Sequence, residues 1–553
     1  MRDMKISFKK IGIYTVGLIA FFGLFSFTKA DDRLFDIAKN LEMFTSIFKE
    51  INALYVDPVD PNKLIRTGID DMLESLDPYT NYIAEDEIED FRTMTTGQYG
   101  GVGAMISKHD LGVQILMPYP GSPAMEAGIK IGDIITQIDG KIIKGKEVAD
   151  ISKLLKGQAG TPVKLLLLRN YNTVEVNLVR KQIQIESVPY YGMINNEIGY
   201  LHLSEFTANA GKDVKNALVA LKEKGAKKII FDLRGNPGGL LDQAVYIANL
   251  FIPKGKLVVS TKGKLEDWNK EYKSEHAAFD LEIPLVVLTS DHSASASEIV
   301  AGVIQDYDRG VIVGQKSYGK GLVQSTRPLP YNAQLKLTVA KYYTPSGRCI
   351  QAIDYSHRSE DGTVSKMADS LKTAFKTKNG RTVYDGGGIT PDVLVEKPEM
   401  PKILISLLEK NLLFDYAGNY ENTHKTIAEA NKFVLTDAEY DEFVKWVANK
   451  EYDYKTKVET ELQTLIETSK KEKYFEGIKE QISQLENKMS HNKEKDLYTF
   501  KKEIRNQLEE QIVARYYFQK GISEASFDHD PDIEQAIKVL NEPANYTKIL
   551  QGK

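Results

Sequence analysis

The apolar positions change period several times along the 553-residue chain. Ile11 to Phe27 is apolar all round, with Lys5, Lys9 and Lys10 before it and Thr28-Lys29-Ala30 and two aspartates after it. A basic start, an apolar run and a small-residue end form the layout of an export signal. The run also approaches the length of a spanning helix, so cleavage after Ala30 and retention as an anchor both stay open. From Leu34 to Leu54 a stripe through Phe35, Leu41, Phe44, Phe48 and Ile51 predicts a helix. A second helix runs through Ile65, Ile69, Met72 and Leu76 and stops before Asp77-Pro78.

Tyr99-Gly100-Gly101-Val102-Gly103 opens a unit of short strands and helices that reaches about Gln182. Its successive glycines put unobstructed N–H groups in a row, a nest suited to a carboxylate. A strand over Val113–Met117 is followed by a short helix near Ser122-Pro123-Ala124. A longer helix over Val148–Leu155 and a closing strand over Val163–Leu168 end the unit.

After Gln182 strands alternate with helices, the mark of an α/β layer structure. Ile198–Phe206 and Lys228–Leu233 read as strands with a helix over Lys212–Lys224 between them. The second strand ends in Arg234-Gly235-Asn236-Pro237-Gly238-Gly239. Ile283 to Ser290 is continuously apolar, as in a strand covered on both faces. Ile299, Val300, Val303, Ile304 and Tyr307 then recur at helical spacing. Strands over 311–314, 323–329 and 335–343 complete this layer. Beyond Pro401 the pattern is helical, with a charge-rich region over Glu451–Lys520 that reads as a solvated helical pair. A part in gripping substrate, in self-association or in binding an adaptor stays open for it.

Length implies several cores. The composition, 42% hydrophobic and 27% charged, is that of ordinary globular domains, and a net charge of −5 argues against nucleic-acid binding. Cys349 is the only cysteine and cannot form an internal disulfide. The eight histidines are scattered, without metal-ligand spacing, and there is no phosphate loop or cofactor fingerprint. No cofactor or metal is expected.

The chemistry concentrates in Ser293-Ala294-Ser295-Ala296-Ser297-Glu298, on the turn between the apolar strand and the following helix. A hydroxyl there lies beside the positive end of a helix and beside free N–H groups able to hold an oxyanion. The same letters spell a capping box, with Ser295 and Glu298 three apart. Downstream, Ser317-Tyr318-Gly319-Lys320-Gly321-Leu322-Val323-Gln324 sets a lysine between glycines. In an extended segment Lys320 and Gln324 share a face. A serine needs a base before it attacks, and a buried lysine can be that base, oriented by an amide. The plainer reading of Lys320 is a surface lysine in a glycine turn. His292 is close in sequence, but would sit in the same turn and face elsewhere.

Together these segments resemble the C-terminal processing peptidases, or tail-specific proteases, a serine protease family with a Ser/Lys dyad. Ser295 falls on the family's nucleophile, Lys320 on its lysine and Gln324 on its helper glutamine, and the separation (320 − 295 = 25) fits. Met72–Thr80, Tyr342–Arg348 and Gly387–Asp392 match further family segments. Ser290 and Ser317-Tyr318 are small departures. The ordered series over 98–182 resembles a PDZ domain.

The resemblance implies a multidomain α/β protein whose protease core has crotonase/ClpP-like layers. It implies residues 1–30 as signal or anchor, 31–97 as helical lead-in, 98–182 as PDZ domain, 183–397 as core and 398–553 as a charged helical extension. It implies an oxyanion hole from Ala296 with Gly238 or Gly239, and capture of a substrate's carboxyl terminus by Tyr99, Gly100, Gly101, Val102 and Gly103. The implied substrates are proteins with a free C-terminus, met in the periplasm or cell envelope. Two rivals remain: a PDZ scaffold on an inactive protease fold, and an α/β enzyme acting on thioesters.

Overall fold

In the core sheet the strands run in the order Tyr190–Met193, Ile198–His202, Lys228–Asp232, Leu285–Thr289, Val311–Gly314, Val393–Leu394. The first pair is antiparallel and the rest are parallel. This is a computed structural model, and it describes residues 28–359, 362–489 and 493–552. The apolar run Ile11–Phe27 lies outside the described residues.

The chain divides into two units, residues 1–82 and 83–553. The first holds the predicted helices, Thr28–Leu54 and Pro61–Glu74. Asp60 caps the second by accepting from the N–H groups of Asn62 and Lys63, with Pro61 supplying a preset φ.

In the second unit, residues 98–184 build the glycine-led module. Ala104–His109, Gly112–Pro118, Ile134–Ile138, Pro162–Arg169 and Asn172–Val179 pair in that order, and Ala104–His109 is an edge strand. Val113, Ile115, Ile135, Ile151, Leu165 and Leu167 fill the interior.

The continuous apolar runs of the core strands have a simple cause: both faces of their sheet are covered. On one face lie the helices Ala210–Glu223, Leu241–Asn249 and Ala296–Asp306. On the other lie the last two helices of the chain, Pro531–Asn541 and Pro543–Gln551. Ile533, Ala536, Val539 and Leu540 pack there with Phe527 against Ile230, Val286, Leu288 and Val313. The Tyr546 hydroxyl accepts from Leu285 N–H (3.0 Å) and lies 3.1 Å from Leu285 O. Sequence reading assigns these residues to the extension. In the structure they are a layer of the core.

A second, antiparallel sheet carries Leu322–Pro328, Gln334–Tyr343, Leu257–Gly263 and Lys270–Lys273. The helices Lys402–Glu409, Leu412–Thr423, Asp437–Val447 and Lys501–Ser526 surround a separate core of Leu407, Leu413, Tyr440, Phe443, Leu508 and Ile512. Of the charge-rich region Glu451–Lys520, Lys457–Lys471 and Phe475–Met489 form a pair joined through Leu462, Ile466 and Ile482, whereas residues 501–520 belong to the buried helical core.

Candidate active site

Ser295 stands where the strand Leu285–Thr289 has turned into the fully buried helix Ala296–Asp306. Its φ of 55° and ψ of −112° lie in a region that a side chain with Cβ rarely adopts. Such a conformation persists only when its surroundings over-determine it, and here they do. Ser293 Oγ accepts from Ser290 N–H (2.9 Å) and donates to Leu233 O (2.7 Å). Ala294 N–H and Ser297 Oγ both donate to Asn236 O, each at 3.0 Å. Two of the three repeated serines therefore clamp the turn to the glycine-rich loop. Ser295 itself makes no side-chain cap bond.

Glu298 does far more than cap a helix. Its fully buried carboxylate accepts from Ser295 N–H (2.9 Å), Lys320 N–H (2.9 Å), Gly319 N–H (2.7 Å) and Ser317 Oγ (2.5 Å). On the carbonyl side, the Tyr342 hydroxyl lies 3.1 Å from Ser295 O and 2.7 Å from Lys320 O. Ser295 and Lys320, 25 residues apart, thus hang from the same two buried side chains. Sequence reading saw Glu298 only as half of a capping box. Its long-range partners had no local signal.

Burial pushes the Glu298 carboxyl up to about 7, against the pull of its four donors. An unfolded glutamate titrates near 4.5, so this group's contribution to stability is full below that pH and is lost as pH rises to about 7. Glu298→Gln should remove that part of the slope. It should also slow cleavage about a hundredfold, because an amide cannot accept from all four donors and the turn shifts. Melting temperature against pH from 4 to 8, with kcat alongside, checks both; slopes identical in parent and variant would contradict the account.

The loop after Arg234 settles against the same serine. A Cβ on Gly238 would stand 2.8 Å from Ser295 Cβ and 3.0 Å from Ala296 N, which only glycine avoids. Gly238 N–H is already bound to Asn236 Oδ1 at 2.8 Å. The N–H groups of Gly239 and Ala296 make no hydrogen bond among the described residues. Of the two candidate glycines, Gly239 is the one with a donor to spare.

Gln324 donates its amide to Thr338 Oγ1 on the neighbouring strand, at 3.2 Å. The strand that carries Gln324, Leu322–Pro328, begins two residues after Lys320, and opposite Val323 and Gln324 the neighbouring strand has one extra residue, Val339. His292 is exposed, and its ring nitrogen lies 2.8 Å from the Asp291 carboxylate.

In the glycine-led module, Gln98–Gly101 pairs antiparallel with Lys181–Gln184. The first part of the expected open nest is therefore a strand with partners of its own. Val102 and Gly103 give their carbonyls to Ala124 N–H and Tyr119 N–H, both at 2.9 Å. Their own N–H groups have no partner among the described residues, and they lead straight into the edge strand Ala104–His109. Beside that strand lies the helix Val148–Leu155, with Ile106 and Ile151 in one cluster.

A serine in a rarely adopted backbone conformation at the positive end of a buried helix, with unbonded N–H groups at Ala296 and Gly239, is the arrangement that a serine hydrolase needs. Comparison with known proteins sharpens this. Residues 197–357 match Peptidase family S41, residues 115–169 match a PDZ domain, and residues 403–540 match the C-terminal helical domain of a probable PDZ-protease. A carboxy-terminal-processing protease of Bartonella bacilliformis is 36% identical over 366 residues, 65% of this chain and 76% of that protein. A probable CtpA-like serine protease of Staphylococcus aureus is 33% identical over 401 residues, 72% of this chain and 78% of that one. The solved photosystem II D1 C-terminal processing protease is 26% identical, covering 65% of this chain and 94% of that one, with a TM-score of 0.36. The chain belongs to peptidase family S41, as a carboxy-terminal-processing serine peptidase with a PDZ domain.

Proposed function

We propose that Ser295 and Lys320 act as a dyad that cleaves proteins delivered by their carboxyl-terminal tails. One observation carries the reading: Glu298 and Tyr342 each bind the backbone of both residues, which fixes the two side chains' origins together. In the reaction, neutral Lys320 takes the proton of Ser295 Oγ as that oxygen attacks a peptide carbonyl. The oxyanion is held by the N–H groups of Ala296 and Gly239. The lysine then gives its proton to the leaving amine, and the acyl group stays on Ser295. Water attacks next, its proton passing to the same lysine, and the serine hydroxyl is restored as the acid product leaves. Gln324 supports the lysine's orientation from the adjoining strand.

The PDZ domain takes the substrate's terminal carboxylate on the N–H groups of Val102 and Gly103, with the tail added beside Ala104–His109. The amino-terminal layout supports export to the periplasm or cell envelope. Tail capture is tested with an unstructured protein ending in an apolar segment, its C-terminus free or amidated. Amidation should lower kcat/KM at least about tenfold, since a charged partner of the two amides is lost. Equal rates would remove the tail from the account.

A further inference from the structure

The glycine-rich loop that carries Gly239 has little stiffness of its own. Gly235, Gly238 and Gly239 all have positive φ, at 70°, 105° and 141°. Its orientation must come from anchors. One anchor is Arg234, the residue on which the loop begins. Its guanidinium binds Asp232 through Nε (3.0 Å to both carboxylate oxygens) and Nη2 (2.6 Å). Its remaining nitrogen, Nη1, reaches out of the core to Asp530, at 2.9 and 2.8 Å, and to Asp532, at 2.9 Å. Those two aspartates open the helix Pro531–Asn541, about 300 residues further along the chain.

Asp532 holds a second segment as well. Its other oxygen accepts from Gln315 Nε2 at 3.0 Å, while Gln315 N–H donates to Thr289 O at the end of the nucleophile's strand. Two residues beyond Gln315, Ser317 Oγ reaches Glu298. A single carboxylate therefore touches the segment that leads to Gly239 and the segment that leads to Lys320. The group is sequestered: side-chain exposure is 20% for Arg234, 17% for Asp530 and 9% for Asp532. A planar fork held by paired carboxylates fixes direction as well as position.

We propose that Asp530 and Asp532 are positioning residues of the peptidase. Acting through Arg234 and Gln315, they set the oxyanion loop and the lysine segment relative to Ser295. This rests on the assignment of Ser295, Ala296 and Gly239 above. The helix Pro531–Asn541 then positions the active site as well as forming a layer of the core.

The test uses the full-length chain with Asp530→Asn, Asp532→Asn and both together, with Glu534→Gln as an exposed neighbour and Ser295→Ala as a reference. Asparagine at 530 keeps the side-chain oxygen that caps the helix. The double variant should lose about 10- to 100-fold in kcat, as expected for a small misplacement of the oxyanion donors. Affinity for a peptide boronate, which forms a tetrahedral adduct, should fall in parallel. KM and tail-peptide affinity should stay within about twofold, because those are set in the PDZ domain. Glu534→Gln should behave as the parent.

Parent-like kcat in a variant that melts as the parent does would overturn the proposal. So would a loss that disappears when rates are normalised to the folded fraction. Where the double variant does not fold, Asp532→Asn, which leaves the cap untouched, carries the same comparison. Cleavage surviving in Ser295→Ala would instead overturn the assignment of the nucleophile, a separate result.

Discussion

Ser295→Ala is expected to abolish cleavage of an unstructured protein with an apolar tail, and Lys320→Ala to come close, while both variants still bind the tail. Loss of the nucleophile removes the covalent route entirely, and loss of the base leaves a hydroxyl that holds its proton at neutral pH. Members of such a unit are not additive, so each single change should cost about four orders of magnitude in kcat. No other residue of the site can substitute: His292 is on the surface with Asp291, and Glu298 spends both oxygens on four donors. Tail binding should persist because Val102, Ala104 and Ile106 belong to a different hydrophobic core. Cleavage rates with fluorescence anisotropy of a tail peptide give both readouts. Retained cleavage in either variant would remove that residue from the mechanism, and joint loss of cleavage and tail binding would point to unfolding.

Deleting residues 531–553 should leave the protease core unable to fold. The deletion strips Ile533, Ala536, Val539 and Leu540 from a sheet face that carries Ile230, Val286, Leu288 and Val313. Each large apolar side chain returned to water costs about 1.5–3 kcal/mol, and seven are affected on the two sides of that layer. The sum, roughly 10–20 kcal/mol, is as large as the roughly 5–15 kcal/mol by which a domain is stable. Arg234 also loses Asp532, and Asp530 is left without the helix it caps. Insoluble expression, or a soluble chain without a cooperative melt, is the expected outcome. A soluble, active protein that melts as the parent does would show that the last two helices are dispensable.

What the residues reveal by themselves depends on how far apart the partners lie. The core strands Ile198–His202, Lys228–Asp232, Leu285–Thr289 and Val311–Gly314 were legible because they are mostly apolar, whereas the helix Leu241–Asn249 and the strands Leu257–Gly263 and Lys270–Lys273 were not read. The glycine-led module was legible for the same reason, with turns marking its strands. Glu298 was legible only as a helix cap, since its bond to Ser295 N–H spans three residues, whereas those to Gly319 and Lys320 cross to another segment. The helical character of Pro531–Asn541 could be read, but amphipathicity names a buried face and never its partner. Arg234 and Asp532 are separated by 298 positions, and no pattern links them. The choice between Gly238 and Gly239 rested on one side chain, Asn236, whose oxygen occupies the first amide. Gln324 was placed by strict alternation from Lys320, whereas the strand begins only at Leu322.

The most direct test of the dyad is to trap the acyl-enzyme. Parent, Ser295→Ala and Lys320→Ala proteins would be mixed with a slowly hydrolysed peptidyl ester, quenched in acid, digested and mapped by mass spectrometry. The account predicts an acyl group on Ser295 in the parent, none anywhere in Ser295→Ala, and at most a trace in Lys320→Ala. An acyl group on a different residue, or labelling of Ser295 at the parental rate without Lys320, would contradict it.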